Sequence, residues 1–221
     1  MNASSVQGEE PIRFAGSVLS GRLHICGFFS TPEEEYQLLL PFIKEGIERG
    51  EKAFHVVDPK LREDHLRRLK SAGIDLSQAE KSGQFELCNW EQMYFRGGCF
   101  DQDRMLATWH DVLVAAGQKG FPRTRLIAHM EWALEDRHGV SDLIEYEAKF
   151  NLIHQSNRDP VICAYDLTRF SGDVIMSVLR THPMVILAGV LQENPFFIPP
   201  EQFLQELRER RSRDGLQPAA N

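Results

Sequence analysis

No apolar run in the chain approaches the ~18 residues of a membrane span. The N-terminus lacks the basic-then-apolar pattern of a signal peptide. The four cysteines, Cys26, Cys88, Cys99 and Cys163, include no C-x-x-C pair, and three lie in apolar runs where a free thiol behaves as a small hydrophobe. These absences together predict a cytoplasmic protein with reduced thiols and no membrane partner. Positive charge is also scarce: 25 Lys and Arg stand against 32 Asp and Glu, a formal charge of -7. Broad nucleic-acid binding needs a basic face, so no nucleic-acid partner is expected. No G-x-S-x-G is present, and no cysteine carries a local cue of activation. Because nucleophilic triads assemble from distant residues, that absence weighs only mildly against an enzyme.

One further absence falls at an informative place. Residues 23–50, LHICGFFSTPEEEYQLLLPFIKEGIERG, read as a buried strand, a turn and an amphipathic helix. Thr31 is placed to cap the helix, Pro32 suits its first position, and Glu34 would complete a capping box. Tyr36, Leu39, Leu40, Ile43 and Ile47 fall on one face, and Gly50 ends the helix. A strand-turn-helix of this kind often cradles phosphate through a Gly-rich turn ending in Lys and Ser or Thr. Here the turn holds Ser30, Thr31 and Pro32, followed by Glu33, Glu34 and Glu35. Three carboxylates already answer the helix dipole and would repel phosphate.

The hydrophobic fraction of 42% suits one globular domain. The expected organisation is a mobile arm over 1–18, one domain over 19–211, and a disordered tail over 212–221. Further strands are expected over 51–58, 85–90, 125–132, 161–166 and 184–191. Helices are expected after Asp58-Pro59, over 105–116, 141–154 and 172–180, and after Pro199-Pro200. The segment 94–103, with Gly97-Gly98, reads as a hinge. Strands apolar on both faces, alternating with helices, predict an α/β fold with a mostly parallel central sheet and helices on both sides. Ligands of such sheets bind beyond the carboxyl ends of the strands, which here present Phe28, Phe29, Asp58, Trp90, Glu131, Trp132 and Asp166.

Histidine is the most informative residue type. His24, His55 and His129 each lie within an apolar strand. His24 and Cys26 share a side of their strand, as do His129 and Glu131, and Cys163 and Tyr165. If the strands are neighbours, these residues line one pocket. Two histidines, a cysteine and a carboxylate would also suit zinc, although residues drawn from separate strands make spacing weak support. Taken singly, each histidine reads more readily as a satisfied core residue. His182-Pro183 reads as a turn or a pocket edge.

Several stretches then agree in order: His24-Ile25-Cys26 with the acidic turn over 32–36, GEKAFHVVDP over 50–59, the paired glycines over 94–100, HMEWALE over 129–135, Tyr165-Asp166, RTHP over 180–183, and 193–200. Over about 19–211 the chain resembles the MEDS (methanogen/methylotroph, dichloromethane-regulator sensory) domain family. The resemblance implies a RecA/KaiC-like three-layer sandwich without a phosphate-binding loop. It implies a sensor of small molecules, with simple hydrocarbon derivatives proposed, and makes His24 the leading ligand contact. Family members are often joined to histidine kinases or DNA-binding modules. No output domain follows Arg211 here, so a free-standing sensor acting through such a partner is expected, with a homodimer left open. The expected ligand set is His24, Cys26, Phe28, Phe29, His129, Glu131, Trp132 and Tyr165, with no catalytic residue, no assigned metal and the cofactor open. The rival readings are a residual nucleotide- or metal-dependent hydrolase using Glu131, and a ligand-free interaction module.

Overall fold

The computed structural model describes residues 11–19, 21, 23–154 and 158–213. A hairpin of β1 (Ile12–Phe14) and β2 (Ser17–Leu19) opens it where a mobile arm was expected; residues 1–10 lie outside the described part. Ile12, Phe14 and Leu19 are buried, which fixes this short piece to the domain. The central sheet uses β3 (His24–Phe29), β4 (Lys52–Val57), β5 (Phe85–Asn89), β6 (Thr124–His129), β7 (Val161–Asp166), β8 (Met184–Leu187) and β9 (Val190–Glu193). Its order is β5-β4-β6-β7-β3-β8-β9, parallel throughout except for β9.

The single last strand expected over 184–191 is instead a hairpin. Ala188 and Gly189 both take positive φ, 49° and 76°, the pairing a two-residue turn between twisted strands requires. The strand expected to run through Trp132 stops at His129, and a 3-10 turn over Met130–Leu134 follows.

Helix α1 (Pro32–Glu48) begins as expected, with the Thr31 hydroxyl accepting from the Glu34 amide. The reciprocal bond goes one residue further back: Glu34 Oε2 accepts from the amide of Ser30, 2.8 Å away. Its buried face is Tyr36, Leu39, Phe42, Ile43 and Gly46, with Leu40 and Ile47 half-buried. The other helices are α2 (Arg62–Ser71), α3 (Leu76–Lys81), α4 (Gln102–Gln118), α5 (Leu143–Ile153), α6 (Gly172–Leu179) and α7 (Pro200–Arg213). A 3-10 turn capped by Asp58 precedes α2.

Two cores flank the sheet. One joins even-numbered β3 residues to α4, α5 and α6 through Cys26, Phe28, Trp109, Tyr146, Phe150 and Val178. The other joins Ile25 and Phe29 to α1 and α2 through Leu39, Ile43 and Leu69. The expected hinge over 94–103 is pinned to the first core. Tyr94, Phe95 and Phe100 are buried, and the Phe100 amide donates to His138 O at 3.0 Å. Gly139, at φ 84°, permits this crossing, since a Cβ there would lie 2.0 Å from the Phe100 carbonyl oxygen.

Candidate functional site

Register decides which of the predicted residues meet. His24 pairs with Val161, which pairs with Leu126, whereas His129 pairs with Ala164, opposite Gly27. Strand β7 therefore lies between the two histidine-bearing strands. Residues of odd number on β3 share a face with odd-numbered residues of β6, so His24 and His129 point to opposite sides of the sheet. The single pocket expected of His24, Cys26, His129 and Glu131 does not form. Two polar groups form instead.

The first lies under α5. His24 Nδ1 bonds Asn151 Oδ1 at 3.1 Å, while the two Asn151 amide protons go to Glu147 O at 3.0 Å and Thr181 O at 2.7 Å. The amide oxygen is thus an acceptor, Nδ1 of His24 carries the proton, and Nε2 presents a lone pair. That nitrogen lies 3.3 Å from Glu147 Oε2 and 3.6 Å from Cys163 Sγ. His182 repeats the arrangement: Nδ1 faces Val178 O at 2.9 Å, and Nε2 makes no hydrogen bond and lies 3.4 Å from the same carboxylate oxygen. The Tyr165 hydroxyl donates to the other oxygen, Oε1, at 2.8 Å. All four central residues are at least 95% buried. Burial holds the His24 imidazole down to about 4, opposed by its bond to Asn151, and holds His182 down to about 3. The same burial pushes the Glu147 carboxyl and the Cys163 thiol up.

Next to this group, at the amino edge of the sheet, is a cavity of about 340 Å³. Its walls include Leu23, His24, Asn151, His154, Pro183 and Phe197, and the start of α7 at Pro199-Pro200 closes it.

The second group lies under α1 and α2. Tyr36 Oη bonds His65 Nδ1 at 2.5 Å, and His65 Nε2 bonds His55 Nδ1 at 2.9 Å. His129 Nε2 stands 2.7 Å from Glu35 Oε1, an ion pair whose approach lies off the line of a hydrogen bond. Burial alone would lower His129; the charge of Glu35, helped by Glu131 and Asp58, outweighs it and raises the imidazole to about 9. Glu131 accepts the Asp166 amide at 3.0 Å, and burial raises its carboxyl. The cleft here, at the carboxyl edge, measures only about 100 Å³ and is walled by Phe29, Glu35, Asp64, Glu131 and Asp166 against Arg68 and Arg169.

Of the other expected contacts, Cys26 is fully buried with its thiol 3.6 Å from Met184 O, and Phe28 packs in the α5 core 5.8 Å from the Tyr165 ring. Trp132 is a core residue, stacked on Tyr94 at 4.3 Å. The sequence reading missed Glu147 and Asn151. Their signal was present: both fall on the apolar stripe of Leu143, Phe150 and His154, where an acid and an amide four apart are out of place. His182, read more as a turn, belongs to the group.

The described architecture is a mostly parallel α/β sheet with helices on both faces, an acidic helix start after β3, and a polar group buried on each side of that strand. The family model for MEDS, the methanogen/methylotroph, DcmR sensory domain, matches residues 23–183, and the chain belongs to this family. It is 27% identical over 180 residues to the transcriptional repressor DcmR of Methylorubrum extorquens, covering 80% of this chain and 64% of the repressor. A crystal structure of a KaiC-like protein from Pyrococcus horikoshii OT3 superposes with a TM-score of 0.52 at 19% identity, covering 74% of this chain and 70% of that one. The family is one of sensory domains, and the structural likeness shows a KaiC-like fold. Among the described residues no helix is long and apolar enough to cross a membrane.

Proposed function

We propose that the chain is a cytoplasmic sensory module that takes a small organic ligand into the amino-edge cavity beside His24. The observation that carries this reading is the cavity itself. At about 340 Å³ it falls in the range of small-molecule pockets, and its walls set Leu23, Pro183, Phe197, Pro199 and Pro200 beside the polar His24, Asn151, His154 and Glu201. The carboxyl-edge cleft, at about 100 Å³, is much smaller, which favours the amino-edge cavity as the ligand site.

A ligand seated here bears on the Pro199-Pro200 start of α7. That helix is tied to the domain by Arg180–Glu206 at 2.5 Å and Arg211–Glu145 at 2.5 Å. Ligand binding that favours one seating of α7 would pass the signal to a protein partner, such as a transcription regulator or a histidine kinase.

A panel of one- to four-carbon hydrocarbon derivatives, screened by ligand-observed NMR and thermal shift, tests the reading. A true ligand at ~100 times its Kd stabilises the fold by about 2.7 kcal/mol. Leu23→Trp, which fills the cavity mouth, and His24→Ala should each abolish that gain while the protein stays folded. Equal stabilisation of Leu23→Trp would overturn the assignment.

A further inference from the structure

We propose that Nε2 of His24, Nε2 of His182, a carboxylate oxygen of Glu147 and Sγ of Cys163 together hold a divalent transition-metal ion, zinc first of all, in a closed tetrahedral site.

The first argument is directional. Asn151 Oδ1 and Val178 O fix the tautomers of the two histidines, so two imidazole lone pairs converge on one carboxylate oxygen. Lone pairs aimed at one another in a buried space repel unless something electrophilic stands between them. His182 Nε2, fully buried, has no hydrogen-bond partner.

The second argument is metrical. Zinc bonds of ~2.0–2.1 Å to N or O and ~2.3 Å to S place tetrahedral ligands ~3.3–3.4 Å apart for N and O and ~3.6 Å apart where sulfur is one of the pair. The separations here are 3.3 Å and 3.4 Å from the carboxylate to the two imidazoles, 3.6 Å from sulfur to His24, and 4.0 Å from sulfur to the carboxylate. All four donor atoms lie within 4.8 Å of one another.

The third argument is charge. A carboxylate and a thiolate cancel a 2+ ion, and two neutral imidazoles add nothing, so the loaded site is neutral overall in a region where net charge is costly. Binding releases to solvent the thiol proton, and any proton held by the Glu147 carboxyl, as the metal–ligand bonds form.

The outer partners are already in place. Asn151 holds His24, Val178 O holds His182, and the Tyr165 hydroxyl holds the free oxygen of Glu147. The amino-edge cavity touches the outer edge of His24. With four protein ligands and no open position, the site is structural: it joins β3, β7, α5 and the turn before β8.

The test uses the full chain, freed of metal by chelation and titrated with Co²⁺ alone. The expected result is one equivalent bound, with visible ligand-field bands of tetrahedral intensity, a thiolate charge-transfer band, and displacement by Zn²⁺. Cys163→Ser should lose the charge-transfer band and keep ligand-field bands. His182→Ala should weaken Co²⁺ binding at least tenfold, and His129→Ala, on the other face, should leave the spectrum unchanged. Absence of tetrahedral bands from the folded wild-type chain, or a charge-transfer band that survives Cys163→Ser, overturns the proposal whether or not the other variants fold. Leu23→Trp leaves all four ligands in place and keeps the spectrum, which separates failure of this site from failure of the small-ligand reading.

Discussion

Both faces of the sheet bury histidines beside a glutamate, and they put them to opposite use. Under α5, His24 and His182 donate one proton each to a neutral acceptor and turn a bare nitrogen toward Glu147. Under α1, His129 keeps its second proton, because Glu35 is within 2.7 Å with Glu131 and Asp58 nearby. The residue types are the same. The difference is the number of carboxylates facing each ring and what the other ring nitrogen touches. Lone pairs gathered in a dry space receive a cation or an acid, whereas a buried imidazolium with its carboxylate is an internal ion pair that fixes α1 to the sheet.

The largest effect expected from this contrast is in stability. Glu147→Ala removes the acceptor of the Tyr165 hydroxyl and the group both imidazoles face, all fully buried, and leaves a void. A loss of about 3–5 kcal/mol in chelator-treated protein is expected by urea unfolding, the sum of an unsatisfied hydroxyl and a cavity. Glu35→Ala should cost less, about 1–3 kcal/mol, because Glu35 is 15% exposed and His129 can release its proton to relieve the unpaired charge. Equal losses at the two sites would erase the distinction between the faces.

Acidity gives the second test. His129 is raised from its ordinary 6.5 to about 9 in the folded chain. Its pairing therefore stabilises the fold fully below pH ~6.5, and that contribution fades as pH rises through ~9. Thermal unfolding should show up to about 3 kcal/mol lost between pH 6.5 and pH 10. Glu35→Gln should flatten this slope. A profile unchanged by Glu35→Gln would remove the charged histidine from the second face.

Much of the fold was legible in the sequence, and the reason is periodicity. The boundaries of β7 and the cap of α1 follow from a short continuous apolar run and from Thr31-Pro32, both local signals. The Ala188-Gly189 turn was not, because alanine seldom takes positive φ and the apolar run over 184–191 continues through it. For the site, strand periodicity placed His24 and Cys26 on one side and His129 on a side of its own strand, but it could not relate the two strands. That relation is register, and a slip of one residue exchanges the faces. Glu147 escaped for another reason: the apolar positions of α5 mark its inward face, and the acid and amide that share that face at 147 and 151 were passed over. Cys163 and Tyr165 were read as a pair on one side, and both touch Glu147.

The smallest effect sharpens the comparison at its two tyrosines. Each face has one phenol bonded to its polar group, Tyr165 to Glu147 at 2.8 Å and Tyr36 to His65 at 2.5 Å. Removing the first hydroxyl strands an oxygen of a fully buried carboxyl, and Tyr165→Phe should cost about 2 kcal/mol. Removing the second leaves His65 Nδ1 unpaired, but His65 keeps its bond to His55, and Tyr36 also stacks under the Arg68 guanidinium at 4.6 Å, a contact phenylalanine preserves. Tyr36→Phe should therefore cost only about 1 kcal/mol. It should leave the pH slope intact, since the partner of His129 is Glu35 and not the tyrosine. A Tyr36→Phe protein that loses the slope would join Tyr36, His65 and His129 into one titrating unit, and the second face would then be a proton relay and not a single ion pair beside a neutral chain.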